Sequence, residues 1–308
     1  MRVRVLGAAA GGGFPQWNCN CAGCSRARAG DPAVKPRTQA SLAVSADGAR
    51  WVLLNASPDL PAQIAASPAL QPPGDGPARG SPIKAVVISS GDVDCIAGLL
   101  SLREAQKFSL YADGFVQRIL FENRIFRVLD RKFVKFSALP AEADVQLRDA
   151  DGELLGLTIT AFHVPGKVPL YEETSNDIAQ LRAADAVVGL RLSDGRKTMF
   201  YIPACGAVTH SVRARLAPQD ALFFDGTLWQ DDEMILAGTG TKTGARMGHI
   251  SVSGPHGSLA AFADMPLAKK IFIHINNTNP ILDEDGAAYR AVRDAGWEVA
   301  CDGMTIEL

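Results

Sequence analysis

Apolar residues along the chain fall into short runs separated by glycine, proline and Asp-Gly steps, which predicts many short strands with helices between them. Residues 3–6 read as a strand running into Gly7-Ala-Ala-Ala-Gly-Gly-Gly13, where glycine permits close backbone approach. Residues 41–45 and 51–55 read as a hairpin around Ala46-Asp-Gly48, because Asp-Gly favours tight turns. A helix is predicted over 58–66, with Ser57 as N-cap and Pro58 at N1. The near-continuous apolar run 83–88 predicts a strand buried on both faces. Ser89-Ser-Gly-Asp-Val-Asp-Cys95 follows it, then a helix over 96–106. That order places polar residues at the C-terminal end of a central strand, where α/β proteins gather their chemistry.

Further strands are predicted over 109–111, 157–162, 186–192, 198–202, 221–224 and 271–275, with helices over 211–216 and 289–295. Residues 299–308 read as a closing strand pair around Asp302-Gly303, and the Gly/Thr-rich stretch 238–248 as an ordered functional loop. Strands and helices alternate in two halves, which predicts one α/β sandwich domain over residues 1–308 with helices outside.

A net charge of −2 removes the global basic field that nucleic acid or an anionic membrane would need. No apolar run reaches the roughly 18 residues of a membrane helix, and the start lacks a signal-peptide pattern. A cytoplasmic protein with neither nucleic-acid nor membrane partners is expected. Six cysteines are too few and too uneven for a disulfide scaffold, yet three of them fall within six residues.

Those three, in Cys19-Asn-Cys-Ala-Gly-Cys24, are soft ligands at a spacing that wraps one tetrahedral zinc. The fourth ligand stays open between His274, the side-chain oxygen of Asn277, and water. Asp92-Val-Asp-Cys95 can converge on a second metal, with Asp92 and Asp94 as oxygen ligands and Cys95 as a thiolate; capping of the following helix is the alternative reading. His274 ends a core strand and opens the polar run Ile-Asn276-Asn-Thr-Asn279 before Pro280, a hydrogen-bonding platform rather than packing. His249, in Met247-Gly-His249, and Asp225, in Phe224-Asp-Gly-Thr-Leu-Trp229, are candidates for acid–base work. Lys167 lies in the rigid turn Val164-Pro-Gly-Lys-Val-Pro169, where it would meet a substrate carboxylate or stay on the surface.

The segments Leu6–Cys21, Asn55-Ala-Ser-Pro-Asp59, Gly98-Leu-Leu-Ser-Leu-Arg-Glu104, Val164–Pro169, Gly240-Thr-Lys-Thr-Gly244 and His274-Ile-Asn-Asn-Thr-Asn-Pro-Ile281 resemble, in this order, the pyrroloquinoline quinone (PQQ) biosynthesis protein B family. The resemblance implies a metallo-β-lactamase-like αββα sandwich: two mixed sheets flanked by helices, with a metal cradle at the strand ends. The cradle motif HxHxDH of that superfamily falls on Ser90–Cys95, so Ser90 and Asp92 replace its first two histidines and Asp94 keeps the Asp position. Lys167 stands where a further histidine often sits, the Tyr201–Cys205 strand carries no acid, and His274 matches the last ligand. The family pattern Asp-x-Asp-His has Cys95 in place of its histidine.

What the resemblance implies for function is an iron(II)-dependent, O2-using hydroxylase of the tyrosine-derived ring of the PQQ precursor, a small-molecule or peptide-derived partner. Asp92, Asp94, Cys95 and His274 would form or adjoin the iron site. His249 and Asp225 would serve as acid–base groups, and Lys167, Asn276 and Asn279 would hold substrate. The cysteine zinc would be structural. A carrier for PQQ or its precursor and a residual metallo-hydrolase are the rival readings, and a homodimer is an open alternative.

Overall fold

The structure, a computed structural model, describes residues 1–174 and 186–308. One seven-stranded sheet holds β1 (Arg2–Gly7), β2 (Ser41–Ser45), β3 (Trp51–Leu54), β4 (Ile83–Val87), β5 (Phe108–Ala112), β6 (Val134–Ala138) and β14 (Thr305–Glu307) in the order β14-β1-β2-β3-β4-β5-β6. The other holds β7 (Asp144–Arg148), β8 (Leu154–His163), β9 (Val188–Ser193), β10 (Thr198–Ile202), β11 (Ala221–Asp225), β12 (Lys269–Ile273) and β13 (Glu298–Val299), ordered β13-β12-β11-β10-β9-β8-β7. Both sheets are mixed. Strands β3 to β6 and β10 to β13 run parallel, and the remaining pairs are antiparallel.

Side-chain alternation explains the layers. Val5, Val44, Val87, Leu190, Tyr201 and Ile273 fill the core between the sheets. Val86, one residue from Val87, points the other way and packs with Leu60, Val116 and Ile119 of the flanking helices. That is why β4 reads as an unbroken apolar run. On the far side Trp297 stacks on Phe272 with ring centroids 4.0 Å apart, beneath the helix Ala287–Asp294. Two mixed sheets with helices on both outer faces are the expected αββα sandwich. No helix among the described residues is long and apolar enough to cross a membrane.

Three expectations change. The helix predicted over 58–66 is Leu60–Ala65, with Asp59 at the N-cap position and Pro61 in the first turn; Ser57 instead donates to Gln63 Oε1 at 3.1 Å. The helix predicted over 96–106 is one turn, Val93–Ile96, followed by a 3₁₀ segment, Ala97–Leu102. The groups that would continue it are bonded elsewhere. Ala56 N donates to Cys95 O and Gly98 N donates to Ala56 O, both at 2.8 Å. Gly98 makes this possible, since a Cβ there would lie 2.1 Å from Ser57 O. Finally, the two C-terminal strands do not pair with each other: β13 joins one sheet and β14 the other.

The crossing between them is fixed by Asp302, whose carboxylate accepts from Ala8 N (3.1 Å), Thr38 N (2.7 Å) and Thr38 Oγ1 (2.7 Å). Asp302→Ala leaves these donors without a partner and is expected to cost about 1–3 kcal/mol, read as a lower urea midpoint. Asp302→Asn, which keeps one acceptor oxygen, should lose less.

Candidate active site

Four strand exits wall a cavity of about 410 Å³: Ser89–Cys95 after β4, Pro203 and Ala204 after β10, Thr227 after β11, and His274 after β12. Because β11 and β12 pair in parallel, with Asp225 beside Ile273, their exits present Asp225, Thr227 and His274 together. The loop carrying His249 closes the side; its backbone is tied down by Gly244 O accepting from His249 N at 2.9 Å. One ligand atom each from Asp225, His249 and His274 lies within 4.8 Å of the others.

Across the sandwich, His274 Nε2 lies 2.9 Å from Asp94 Oδ2. Asp92, beside it, accepts from Ser90 Oγ at 2.5 Å. Asp92 occupies the N-cap position of the helix Val93–Ile96, but its side chain makes no capping bond. Capping therefore does not explain this pair of acids.

Thr227 holds the histidines. Its hydroxyl is 2.6 Å from Asp225 Oδ1, 3.0 Å from His274 O and 2.8 Å from His274 Nδ1. A carboxylate and a carbonyl only accept, so the single hydroxyl proton goes to one of them. The contact with His274 Nδ1 then requires that nitrogen to donate. His249 Nδ1 likewise donates to Asp225 Oδ2 at 2.7 Å. Both rings thus carry a proton on Nδ1. A carboxylate oxygen only accepts, so the contact of His274 Nε2 with Asp94 Oδ2 at 2.9 Å is donated by the protonated ring, and a cation held by both atoms would take the place of that proton.

Electrostatics follow the same geometry. Burial raises Asp92, and the neighbouring Asp94 charge adds to it. Burial opposes ionisation of Asp94, but its bond to His274 outweighs that and lowers its pKa. Burial pulls His274 down, and Asp94 more than restores it, for a net rise. Cys95 is pushed well up by burial and by both aspartates, and packs in the apolar cluster beneath the first sheet. It reaches the cavity wall as a protonated thiol when no cation is near.

Beside this cavity, Cys19, Cys21 and Cys24 bring their sulfurs within 4.8 Å of one another. The Asn277 amide sits on all three, 3.1, 3.7 and 3.4 Å from the respective Sγ atoms. A half-turn of that amide presents Oδ1 instead. Three thiols and one amide oxygen around one point match a tetrahedral metal. Of the fourth-ligand candidates, Asn277 is in place, while His274 faces Asp94.

The other expected residues divide. Asn276 lines the cavity and donates to Thr278 Oγ1 at 2.6 Å. Asn279 lies off the cavity wall. Its amide donates to Gly226 O at 2.8 Å and its oxygen accepts from Ile281 N at 3.0 Å, so it braces the loop rather than facing a substrate. Lys167 lines the cavity and pairs with Glu173 at 3.0 Å. Glu173 also takes Arg246 at 2.8 Å and Lys242 at 3.9 Å, and the Arg246 bond holds its pKa down at about 2. Among the described residues, Glu173 thus gathers Lys167, Lys242 and Arg246 beside the cavity. Sequence reasoning missed Lys242, Thr227 and Glu233. Thr227 had a signal in its place at the Asp225-Gly-Thr227 exit and Lys242 in its place within Gly240-Thr-Lys-Thr-Gly244, whereas Glu233 had none. The β10 exit carries no acid, as expected, yet Asp225 from neighbouring β11 reaches it and accepts from Cys205 N at 2.8 Å.

Two outcomes are expected. Thr227→Val should weaken metal binding in the cavity by roughly 10–100-fold and shift the signal of the His274 Nδ1 proton, read by two-dimensional 1H–15N spectra of the rings. Thr227→Ser should restore both, and an unmoved signal in the Val variant would remove Thr227 from this role. Glu233, which accepts from Thr278 Oγ1 and Trp229 N at 2.6 Å, is raised by burial from 4.5 to about 7. The folded state therefore keeps this proton after the unfolded chain has lost it, and stability falls as pH rises from about 4.5 to 7. Glu233→Gln should flatten that window in urea midpoints taken across it.

A family model described as a beta-lactamase superfamily domain matches residues 50–275. The chain is 52% identical over 302 residues to the coenzyme PQQ synthesis protein B of Gluconacetobacter diazotrophicus, covering 98% of each. It is 50% identical to that of Xanthomonas euvesicatoria, covering both in full. The crystal structure of Zn(2+)-bound PqqB from Methylobacterium extorquens superposes with a TM-score of 0.93 at 48% identity, covering 100% of both chains. With its two mixed sheets and flanking helices, the chain has the metallo-β-lactamase fold and belongs to the coenzyme PQQ synthesis protein B family.

Proposed function

We propose that the chain, as one metallo-β-lactamase-like domain, serves PQQ biosynthesis as an iron-dependent, O2-using hydroxylase of the tyrosine-derived ring of the PQQ precursor. The observation that carries this reading is the facing pair Asp94 Oδ2 and His274 Nε2, 2.9 Å apart, on the wall of a cavity that Lys167 and Lys242 also line. Asp92, Asp94 and His274 would hold iron, with Cys95 adjoining. These hard oxygen and nitrogen donors fit iron(II) and leave coordination positions open. When bound, the iron supplies the activation of O2.

The chain's own residues bind and orient. Leu170, Val187, Pro203 and Met247 give the cavity apolar walls for a ring, and Lys167 and Lys242 at the mouth would take substrate carboxylates. Asn276 adds a hydrogen-bonding group on the wall. His249, with its Nδ1 proton held by Asp225, has Nε2 free to accept a proton from a ring hydroxyl. The Cys19, Cys21 and Cys24 cluster with Asn277 would hold a structural zinc, in keeping with the zinc-bound Methylobacterium relative.

Cys95 favours a second reading. A buried thiol stands where the family pattern has histidine, which removes one nitrogen donor from the iron site. A carrier that binds PQQ or its precursor in the same cavity needs no such ligand.

Metal analysis after anaerobic iron reconstitution separates the two. The hydroxylase reading expects about one zinc, released by Cys19→Ala, and about one iron, removed by His274→Ala, with O2 consumed in a single turnover with precursor. If iron binds only after Cys95→His, and precursor binds without O2 uptake, the carrier reading replaces it.

A further inference from the structure

A second surface, sharing no wall residue with the candidate active-site cavity, combines charge and apolar exposure. Residues 118–135 hold six Lys or Arg against two acids, a local net charge of +4 in a chain of −2. Arg118 is paired, with Glu122 at 3.0 Å and Glu172 at 3.1 Å. Among the described residues, Arg124, Arg127, Arg131, Lys132 and Lys135 have no carboxylate within ion-pair distance. Phe121, Ile125 and Val128 are exposed in the same stretch, Ile125 by 59%. A single exposed apolar side chain carries no meaning. Three within eight residues, amid unpaired cations, form a patch that marks a contact surface.

The patch is concave. Leu120, Phe126, Leu129 and Phe136 line a cavity of about 620 Å³, with Arg127, Arg131 and Asp130 on its walls. The Arg131 guanidinium lies over Phe121 at 4.9 Å and over Phe136 at 5.2 Å, which holds a cation at the edge of the apolar floor. Phe136 belongs to β6, the edge strand of its sheet, paired on one side only with β5.

We infer that this surface docks an extended acidic polypeptide segment whose aromatic or large aliphatic side chain enters the cavity. Carboxylates flanking that anchor meet Arg124, Arg127 and Arg131, and the open side of β6 accepts main-chain pairing. Charge complementarity selects an acidic partner. The concave shape and Asp130 in the wall favour a peptide over an anionic lipid surface, which a protruding apolar wedge without a carboxylate would suit better. The inference is independent of the chemistry assigned to the metal cavity.

The test uses the full chain and a short fluorescein-labelled peptide of alternating Glu and Asp around one central Phe, read by anisotropy. Binding is expected to weaken as salt rises. It should fall about 10-fold or more for the Phe→Ser peptide, for Arg127→Glu with Arg131→Glu, and for Ile125→Ser, while Lys167→Ala leaves it unchanged. Ile125 is exposed, so its variant should fold, with circular dichroism as the check. Equal binding by the charge-reversed variant overturns the inference. So does tighter, Ile125-dependent binding to phosphatidylserine vesicles, which assigns the surface to a membrane. Peptide-independent self-association abolished by Ile125→Ser, seen by sedimentation, assigns it to a second copy and overturns the inference as well.

Discussion

The site depends on one contact between strand exits from different sheets, His274 Nε2 to Asp94 Oδ2 at 2.9 Å. Neither strand makes a site alone. β4 and β12 each end an apolar run in the shared interior, where Val87 and Ile273 pack in one core, and each turns polar at its exit. Packing of the two sheets brings those polar exits face to face. The backbone at His274 is bent to suit, with φ at +58°, a conformation that costs a non-glycine residue about 1–3 kcal/mol unless its surroundings impose it. Here they do. Thr227 Oγ1 sits on both the ring nitrogen and the carbonyl of His274, and Asn276 N donates to Thr227 O at 3.0 Å. The strained residue is the one that faces Asp94, as expected of a site held in shape before any ligand arrives.

Much of this was legible in the chain. The run over 83–88 and the acids after it stood out because a strand buried on both faces leaves no room for polar residues until it ends. The three cysteines stood out by spacing. Less legible was anything decided by a bond between distant segments. The helix expected over 96–106 stops because Ala56 takes the backbone groups of Cys95 and Gly98, and a loop some forty residues earlier leaves no periodic trace. The closing strand pair divides between sheets because Asp302 is anchored on Ala8 and Thr38. Asn279 looks like Asn276 and Asn277 in sequence, yet it points at backbone. Edge strands β6 and β7, being half-exposed, lacked the apolar density that marked the central strands.

The six residues 274–279 then show why the cysteine cluster and the cavity are not separate devices. His274 meets Asp94, Asn276 lines the cavity, Asn277 meets the three sulfurs, Thr278 donates to Glu233 at 2.6 Å, and Asn279 is bound to Gly226. Residues 276–279 form a turn closed by Asn279 N donating to Asn276 O at 3.0 Å, so Asn277 cannot move far without moving its neighbours. A cation drawn onto the thiols fixes Asn277, and fixing Asn277 limits the positions open to Asn276 and to the strained backbone of His274. The Glu233 carboxylate supports the same segment from the other side, through Thr278 and Trp229 N. A metal held by the three thiols would therefore act on the cavity as well, by holding one loop at the angle the cavity needs.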